Sequence, residues 1–169
     1  MPQIVTNYLT PSDKDEKINT AIMAAYEQAA QTGVFAALAE RRGWAEGASL
    51  IWDVETNLWE GKLTVAFSDL PYERIDQQSS AVVSMVTLDL ATGEVVDTDY
   101  LRNELPENWE TSFWAYRFNN EYGYAEYDSE YVLPENSELR YFRKTYYNTL
   151  VFNACQPDGE IVTINVQLH

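Results

Sequence analysis

The sequence predicts an α+β fold in which an N-terminal helical layer packs on an antiparallel sheet of about six to eight strands built from hairpins. Apolar residues recur with a period near 3.6 at the start of the chain and with a period of two from Ala48 onward. Turn-forming residues separate the alternating segments, as expected for strands that pair as hairpins. The 169 residues match the usual size of one domain, so we expect residues 1–169 to form a single domain.

Residues 13–42 are predicted to supply the helical layer. Ser12 or Asp13 is a suitable N-cap, and acidic residues occupy the first turn. Apolar side chains recur on one face at Ile18, Ile22, Ala25 and Ala29. Gly33 interrupts this pattern, so the layer is predicted to be one kinked helix or two short helices.

Two hairpins are predicted in the middle of the chain. In the first, residues 55–57 form a polar turn, and the second strand places three apolar side chains on one face, namely Leu63, Val65 and Phe67. A polar loop follows at residues 70–80. The second hairpin turns at residues 91–93, where a glycine allows a tight change of direction.

The second half of the chain is predicted to contain short helical turns and two further hairpins. One or two helical turns begin after Asp97 or Thr98 and end at Pro106. Two strands then flank a turn at residues 119–120, since asparagine tolerates positive φ. The strongest hairpin is residues 146–168, in which strictly alternating apolar residues follow a Pro-Asp-Gly turn. We expect its second strand to be central in the sheet or well covered.

The chain is strongly acidic, with a net charge of −16 from 27 acidic and 11 basic residues. The excess is concentrated in residues 94–138, which hold 12 acids and 2 bases, whereas residues 139–169 hold 2 acids and 3 bases. Such a balance opposes direct binding to nucleic acid or to an anionic membrane, because lysine and arginine drive both interactions. It favours a basic protein partner, such as a nucleic-acid-binding protein or a nuclease. The alternative is that the charge serves only solubility.

Few side chains suited to catalysis or metal binding are present. The only histidine is His169, so a histidine-based triad is not expected. The only cysteine, Cys155, lies in an apolar segment and is predicted to be structural. Asp53, Glu55, Asn57 and Glu60 offer side-chain oxygens within one short segment, but the glycine that follows them does not fall where a calcium loop requires it. No phosphate-loop, dinucleotide or zinc-hydrolase motif occurs, and we therefore predict no catalytic residue, metal site or cofactor.

The cysteine count and the hydropathy of the chain also bear on its location. One cysteine cannot form a disulfide within the chain, which favours a reducing compartment. The sequence shows no leader signature and no apolar run long enough to span a membrane. We therefore expect a cytoplasmic location.

The segment "EYGYAEYDSEY", residues 121–131, alternates tyrosines with carboxylates. If it is a strand, Glu126, Asp128 and Glu130 form a row on one face. Their spacing of ~6.6–6.8 Å is about twice the ~3.4 Å rise per phosphate along one DNA strand, so the row resembles every second phosphate. Tyrosine adds rigid contact area and attracts basic side chains. The predicted partner-binding residues are Glu121, Tyr122, Tyr124, Glu126, Tyr127, Asp128, Glu130 and Tyr131.

Two functions are compatible with these observations. The first is a non-enzymatic acidic protein that occupies a basic surface of a partner protein, as an inhibitor, an immunity protein or a nucleic-acid mimic does. The second is a helix-on-curved-sheet module with a pocket between its layers, for a small molecule or for carboxylate-based catalysis. The residues predicted to line such a pocket are Trp44, Trp52, Trp59, Trp109 and Trp114. The composition is also compatible with a homo-oligomer.

Overall fold

The structure is a computed structural model that describes residues 12–31, 50–71, 81–119 and 124–169. These residues contain one α-helix, α1 (Asp13–Gln31), and two short 3₁₀ helices, Asp99–Glu104 and Trp109–Thr111. They also contain eight strands: β1 (Leu50–Trp59), β2 (Lys62–Pro71), β3 (Ala81–Asp89), β4 (Phe113–Asn119), β5 (Tyr124–Asp128), β6 (Glu138–Lys144), β7 (Thr149–Cys155) and β8 (Ile161–Gln167). The predicted α+β class and strand number are confirmed. No helix in the described ranges is long and apolar enough to cross a bilayer.

The strands are divided between two antiparallel sheets rather than joined in one. The first sheet has the order β1-β2-β3, and the second has the order β5-β4-β8-β7-β6. The last strand, β8, therefore lies in the middle of the five-stranded sheet, as its alternating pattern predicts. Val162, Ile164 and Val166 of this strand are buried, and the residues between them are half-buried.

Helix α1 starts and packs as its sequence predicts. The Ser12 hydroxyl accepts the backbone N–H of Asp15 at 3.2 Å, and the Asp15 carboxylate accepts the N–H of Ser12 at 3.0 Å, which is a reciprocal capping box. Ala25 and Ala29 are buried against the three-stranded sheet, where small side chains let the helix approach closely. The remainder of the predicted helical layer, residues 32–42, lies outside the described residues.

The predicted turn of the first hairpin is wrong. Strand β1 continues through residues 55–57 to Trp59, and the chain turns at Glu60 and Gly61, whose φ angles are 47° and 72°. Positive φ at both central residues is the geometry of a type I′ turn, whose twist matches that of the flanking strands. The alternating polar residues of β1 thus form one face of a strand instead of a loop.

The next predicted turns are largely confirmed. The chain turns at residues 91–93, but the returning segment makes only a single bridge, between Leu88 and Val95. The helical turns after Thr98 are the first 3₁₀ helix, which ends before Pro106.

Two predicted connections lie partly outside the described residues. The loop predicted at residues 70–80 begins later than expected, because β2 extends to Pro71, and residues 72–80 are not described. The turn predicted at residues 119–120 has the wrong register, because Asn119 still pairs with Tyr124. Residues 120–123, which join β4 and β5, are not described.

Two apolar cores lie on opposite sides of a polar layer where the sheets meet. One core lies between α1 and the three-stranded sheet, and the other lies on the far face of the five-stranded sheet, beneath the 3₁₀ helices. Between the sheets, the Asn153 amide donates to the Val82 carbonyl at 2.8 Å. A bulge in β6 gives Tyr141 a φ of 59°, and its hydroxyl donates to the Val83 carbonyl at 3.0 Å. The facing surfaces of the two sheets are therefore joined by hydrogen bonds.

Candidate functional site

The acidic row predicted for residues 121–131 is shorter than expected. Strand β5 ends at Asp128, so only Glu126 and Asp128 stand on its face, and Glu130 lies in the bend that follows. The Asp128 carboxylate accepts the backbone N–H of Glu130 at 2.9 Å, which is an Asx-type turn. This turn therefore ends β5 at Asp128, whereas the alternating sequence alone predicts that the strand continues.

The tyrosines of this segment occupy different environments. Tyr127 is exposed, and its ring packs against Tyr116 of β4 with a centroid separation of 5.1 Å. The backbone of Tyr124 pairs with Asn119, but its side chain is not described. Glu121 and Tyr122 lie outside the described residues.

Arg117 of β4 partly neutralises the acidic row. It pairs across the sheet with Glu126, and its guanidinium nitrogen lies 3.6 Å from the Asp128 carboxylate. The same guanidinium lies 4.9 Å from the centre of the Tyr131 ring, in a cation–π contact. Burial raises the pKa of Tyr131, although the hydrogen bond with Gln156 opposes this effect. The structure thus places three of the predicted residues, Glu126, Asp128 and Tyr131, next to Arg117 of the same chain.

Beyond Tyr131 the chain borders a groove with a volume of 410 Å³. Its apolar lining includes Trp109, Phe113, Tyr131, Leu133 and Leu139. Glu110 and Glu135 also line the groove, and Val132 beside them is 82% exposed. We call this feature the acidic groove. The Trp109 indole packs edge-on against Phe152 at 5.4 Å, which anchors one wall of the groove to the core.

The acidic groove lies within a region of uncompensated charge. Four exposed glutamates in this part of the chain have no ion-pair partner among the described residues: Glu107, Glu110, Glu130 and Glu135. Other acids of residues 94–138 are paired, since Glu94 contacts Lys17 and Asp99 contacts Arg102. The negative potential is therefore less compensated beside the groove than around those pairs.

A second cavity, of 330 Å³, lies between the two sheets. We call it the inter-sheet cavity, and its polar lining includes Glu55, Ser68, Arg143, Thr145, Thr163 and Asn165. The Arg143 side chain is only 3% exposed and binds the Glu55 carboxylate through Nε at 3.1 Å and through a terminal nitrogen at 3.3 Å. Burial opposes ionisation of Glu55, but the charge and hydrogen bonds of Arg143 outweigh it and lower the pKa of this carboxyl.

Sequence reasoning missed this ion pair, because Glu55 was assigned to a turn and Arg143 to no site. One feature of the sequence does indicate a buried base in this region. Arg143 and Lys144 are consecutive in a strand directly after Phe142, and because successive side chains of a strand point to opposite faces, the two bases cannot both face solvent on the same side of the sheet. Both side chains are in fact buried.

The tryptophans predicted to line a pocket lie in different environments where the structure describes them. Trp59 is buried in the core of the five-stranded sheet, Trp109 lines the acidic groove, and Trp114 is exposed. None of these three lines the inter-sheet cavity. Trp44 and the side chain of Trp52 are not described.

The histidine, cysteine and acidic side chains of the described residues are dispersed. No three His, Cys, Asp or Glu side chains among them are grouped so as to hold a metal ion. Cys155 is a half-buried thiol at the end of β7 and takes part in no disulfide among the described residues.

Comparison with protein-family models, curated proteins and solved structures finds no match to this chain.

Proposed function

We propose that this protein is a non-enzymatic acidic binding protein that occupies a basic surface of a partner protein. The observation that supports the proposal is the acidic groove, in which Glu110 and Glu135 border an apolar lining. Lysine and arginine side chains combine an apolar stem with a charged head, so they complement both parts of such a groove. Arginine in particular binds carboxylates in a planar, bidentate geometry.

Long-range charge and short-range contact would have separate roles in this interaction. The net charge of −16 would attract a basic partner before contact and raise the association rate. Trp109 and Tyr131 would then provide buried aromatic contacts, which set the dissociation rate. Glu126 and Asp128 would contribute less, because Arg117 already compensates part of their charge.

The geometry favours a basic protein segment as the bound element and gives less support to mimicry of a nucleic acid. A phosphate-like row would need Glu130 in register with Asp128, and the turn after β5 removes it. This proposal includes inhibition of a nucleic-acid-binding protein or a nuclease.

Two further expectations from the sequence stay predictions, namely a cytoplasmic location and a single domain over residues 1–169.

The test begins with affinity capture from host lysate at low and high salt, followed by mass spectrometry. The expected result is a basic protein that is released by salt. Association and dissociation rates with that purified protein are then measured for the parent and for the Glu110→Gln/Glu135→Gln variant. We expect slower association and a weaker salt dependence for the variant.

A matched control removes two charges elsewhere. Glu16 and Glu27 are exposed on α1 and have no ion-pair partner among the described residues. The Glu16→Gln/Glu27→Gln variant should retain more of the association rate than the groove variant, since its charges lie outside the groove. Equal effects of the two variants would show that only net charge matters. Failure to recover any salt-sensitive basic protein would contradict the proposal itself.

A second variant tests the acidic row. The substitutions Glu126→Gln, Asp128→Asn and Glu130→Gln remove three charges, but we expect a smaller effect per charge than for the groove variant because none of these residues lines the groove. A larger reduction of the association rate per charge than in the groove variant would indicate that the partner binds at β5 instead of the groove.

A further inference from the structure

We infer that the inter-sheet cavity binds a small, uncharged ligand rich in acceptor oxygens, of the saccharide or polyol class. This site is separate from the acidic groove, because the two cavities share no lining residue. The inference goes beyond the proposed partner binding and does not depend on it.

The residues that line the cavity carry more hydrogen-bond donors than the described residues satisfy. A guanidinium has five N–H groups, and Arg143 donates two to Glu55 and one to the Tyr141 carbonyl, which leaves two. The Asn165 amide nitrogen and the Thr145 hydroxyl are buried and have no partner among the described residues. Because an unsatisfied buried donor is costly, the matching ligand is one that supplies acceptor oxygens.

The charge of the cavity favours a neutral ligand over an anion. The bidentate contact with Glu55 already neutralises Arg143. An added anion would introduce an unbalanced negative charge in a chain whose net charge is −16. A ligand with hydroxyl or carbonyl oxygens can accept the remaining hydrogen bonds without that cost.

Aromatic rings and the size of the cavity indicate a single-ring ligand. Tyr127 is 64% exposed and packs against Tyr116, and both rings line the cavity. A tyrosine ring face packs well against the C–H groups of a sugar ring, whose hydroxyls can then reach the polar side chains. The volume of 330 Å³ is near the lower end of the range of about 300–1,000 Å³ for small-molecule sites, which suits one ring.

The test is an NMR titration of the full chain with glucose, N-acetylglucosamine, myo-inositol and glucuronate. We expect at least one uncharged probe to shift the amide signals of Tyr116, Tyr127, Thr163 and Asn165 in a saturable manner. Glucuronate should bind more weakly than glucose. Shifts only with glucuronate would overturn the inference in favour of an anion site, and the absence of a saturable shift with every probe would also overturn it.

Three variants test whether the NMR shifts arise from binding in the inter-sheet cavity. Asn165→Leu removes one donor and should weaken binding about three- to tenfold. Tyr127→Ala removes an exposed ring, so it tests the same site with little risk to folding. Tyr146→Ala is the matched control, because Tyr146 is 87% exposed and does not line the cavity. Unchanged binding in both cavity variants, or an equal loss in the control, would overturn the inference.

Discussion

At the residue scale, two adjacent bases at the end of β6 connect the five-stranded sheet to the β1–β2 hairpin. Arg143 binds Glu55, and the Lys144 ammonium lies 2.9 Å from Glu60 and 2.5 Å from Glu104. Burial lowers the pKa of Lys144, but hydrogen bonds to the two glutamates outweigh this and raise it. Each base is buried while its acidic partners are partly exposed, so the two members of each ion pair differ in their access to water.

This asymmetry predicts unequal costs for the two halves of the Arg143–Glu55 pair. Glu55→Ala leaves a guanidinium that is 3% exposed without its counter-ion and should destabilise the protein by about 3 kcal/mol. Arg143→Met leaves a carboxylate that is 41% exposed and can be hydrated, so we expect only about 1–2 kcal/mol. Urea unfolding of both variants measures the difference. A larger loss for Arg143→Met would contradict the assignment of Arg143 as the buried charge.

The same pair predicts a pH dependence of stability. The pKa of Glu55 is lower in the folded protein than its ordinary value of 4.5, so its ionisation stabilises the fold above that value. The contribution is lost as the pH falls through the folded pKa. Glu55→Gln should therefore be less stable than the parent at neutral pH, and the difference in unfolding free energy should begin to narrow as the pH falls below about 4.5. Unfolding free energies at a series of pH values test this, and a gap independent of pH would contradict it.

At the element scale, two glycines in hairpin turns allow a matched comparison. Gly61 has a φ of 72°, and a Cβ there would meet no atom within 4 Å. Gly93 has a φ of 75°, and a Cβ there would lie 2.9 Å from the Lys14 carbonyl oxygen in α1. Both positions need the left-handed conformation, but only Gly93 also lies against the helix.

We therefore expect Gly61→Ala to cost about 1 kcal/mol from backbone strain alone. Gly93→Ala should cost clearly more, because the added methyl group displaces the start of α1. Urea unfolding gives the two costs, and hydrogen exchange should show faster exchange at Ala25 and Ala29 only in the Gly93 variant. Equal costs would indicate that α1 is not held at this turn.

Elements with a strong local pattern could be predicted from the sequence. The capping box of α1 and the alternation in β8 depend on residues close together in the chain, and both are confirmed. The Glu60-Gly61 turn was missed because the polar alternation of β1 resembles a loop. The division into two sheets has no local signal, since hairpins of either sheet show the same period of two.

Candidate sites were less predictable than the fold because they depend on distant residues. Glu55 and Arg143 are 88 positions apart, and nothing in their local sequence pairs them. The groove acids Glu110 and Glu135 likewise belong to different segments. Conversely, the tyrosine-rich segment was conspicuous in sequence, but its extent depended on the Asx turn at Asp128.

At the scale of the whole molecule, Trp59 links the two sheets through apolar packing, in addition to the ion pairs and hydrogen bonds between them. This residue ends β1 of the three-stranded sheet, yet it is buried in the core of the five-stranded sheet. Its indole N–H donates to the Thr64 hydroxyl at 3.0 Å, and this hydroxyl is 2.8 Å from that of Thr87. Since one side chain belongs to the packing of both sheets, we expect the sheets to unfold together.

Trp59→Ala tests this coupling. The variant should lose about 3–5 kcal/mol of stability, the usual cost of truncating a buried aromatic residue, in a single transition. Protection of amides in both sheets, for example Val86 and Ile164, should fall by the same free energy, because both depend on the same global unfolding. Trp114→Ala is the control, since Trp114 is 41% exposed and should cost much less. Separate unfolding transitions for the two sheets in the parent protein would contradict the coupling, and would mean that the ion pairs and hydrogen bonds between the sheets are too weak to hold them together once either core opens.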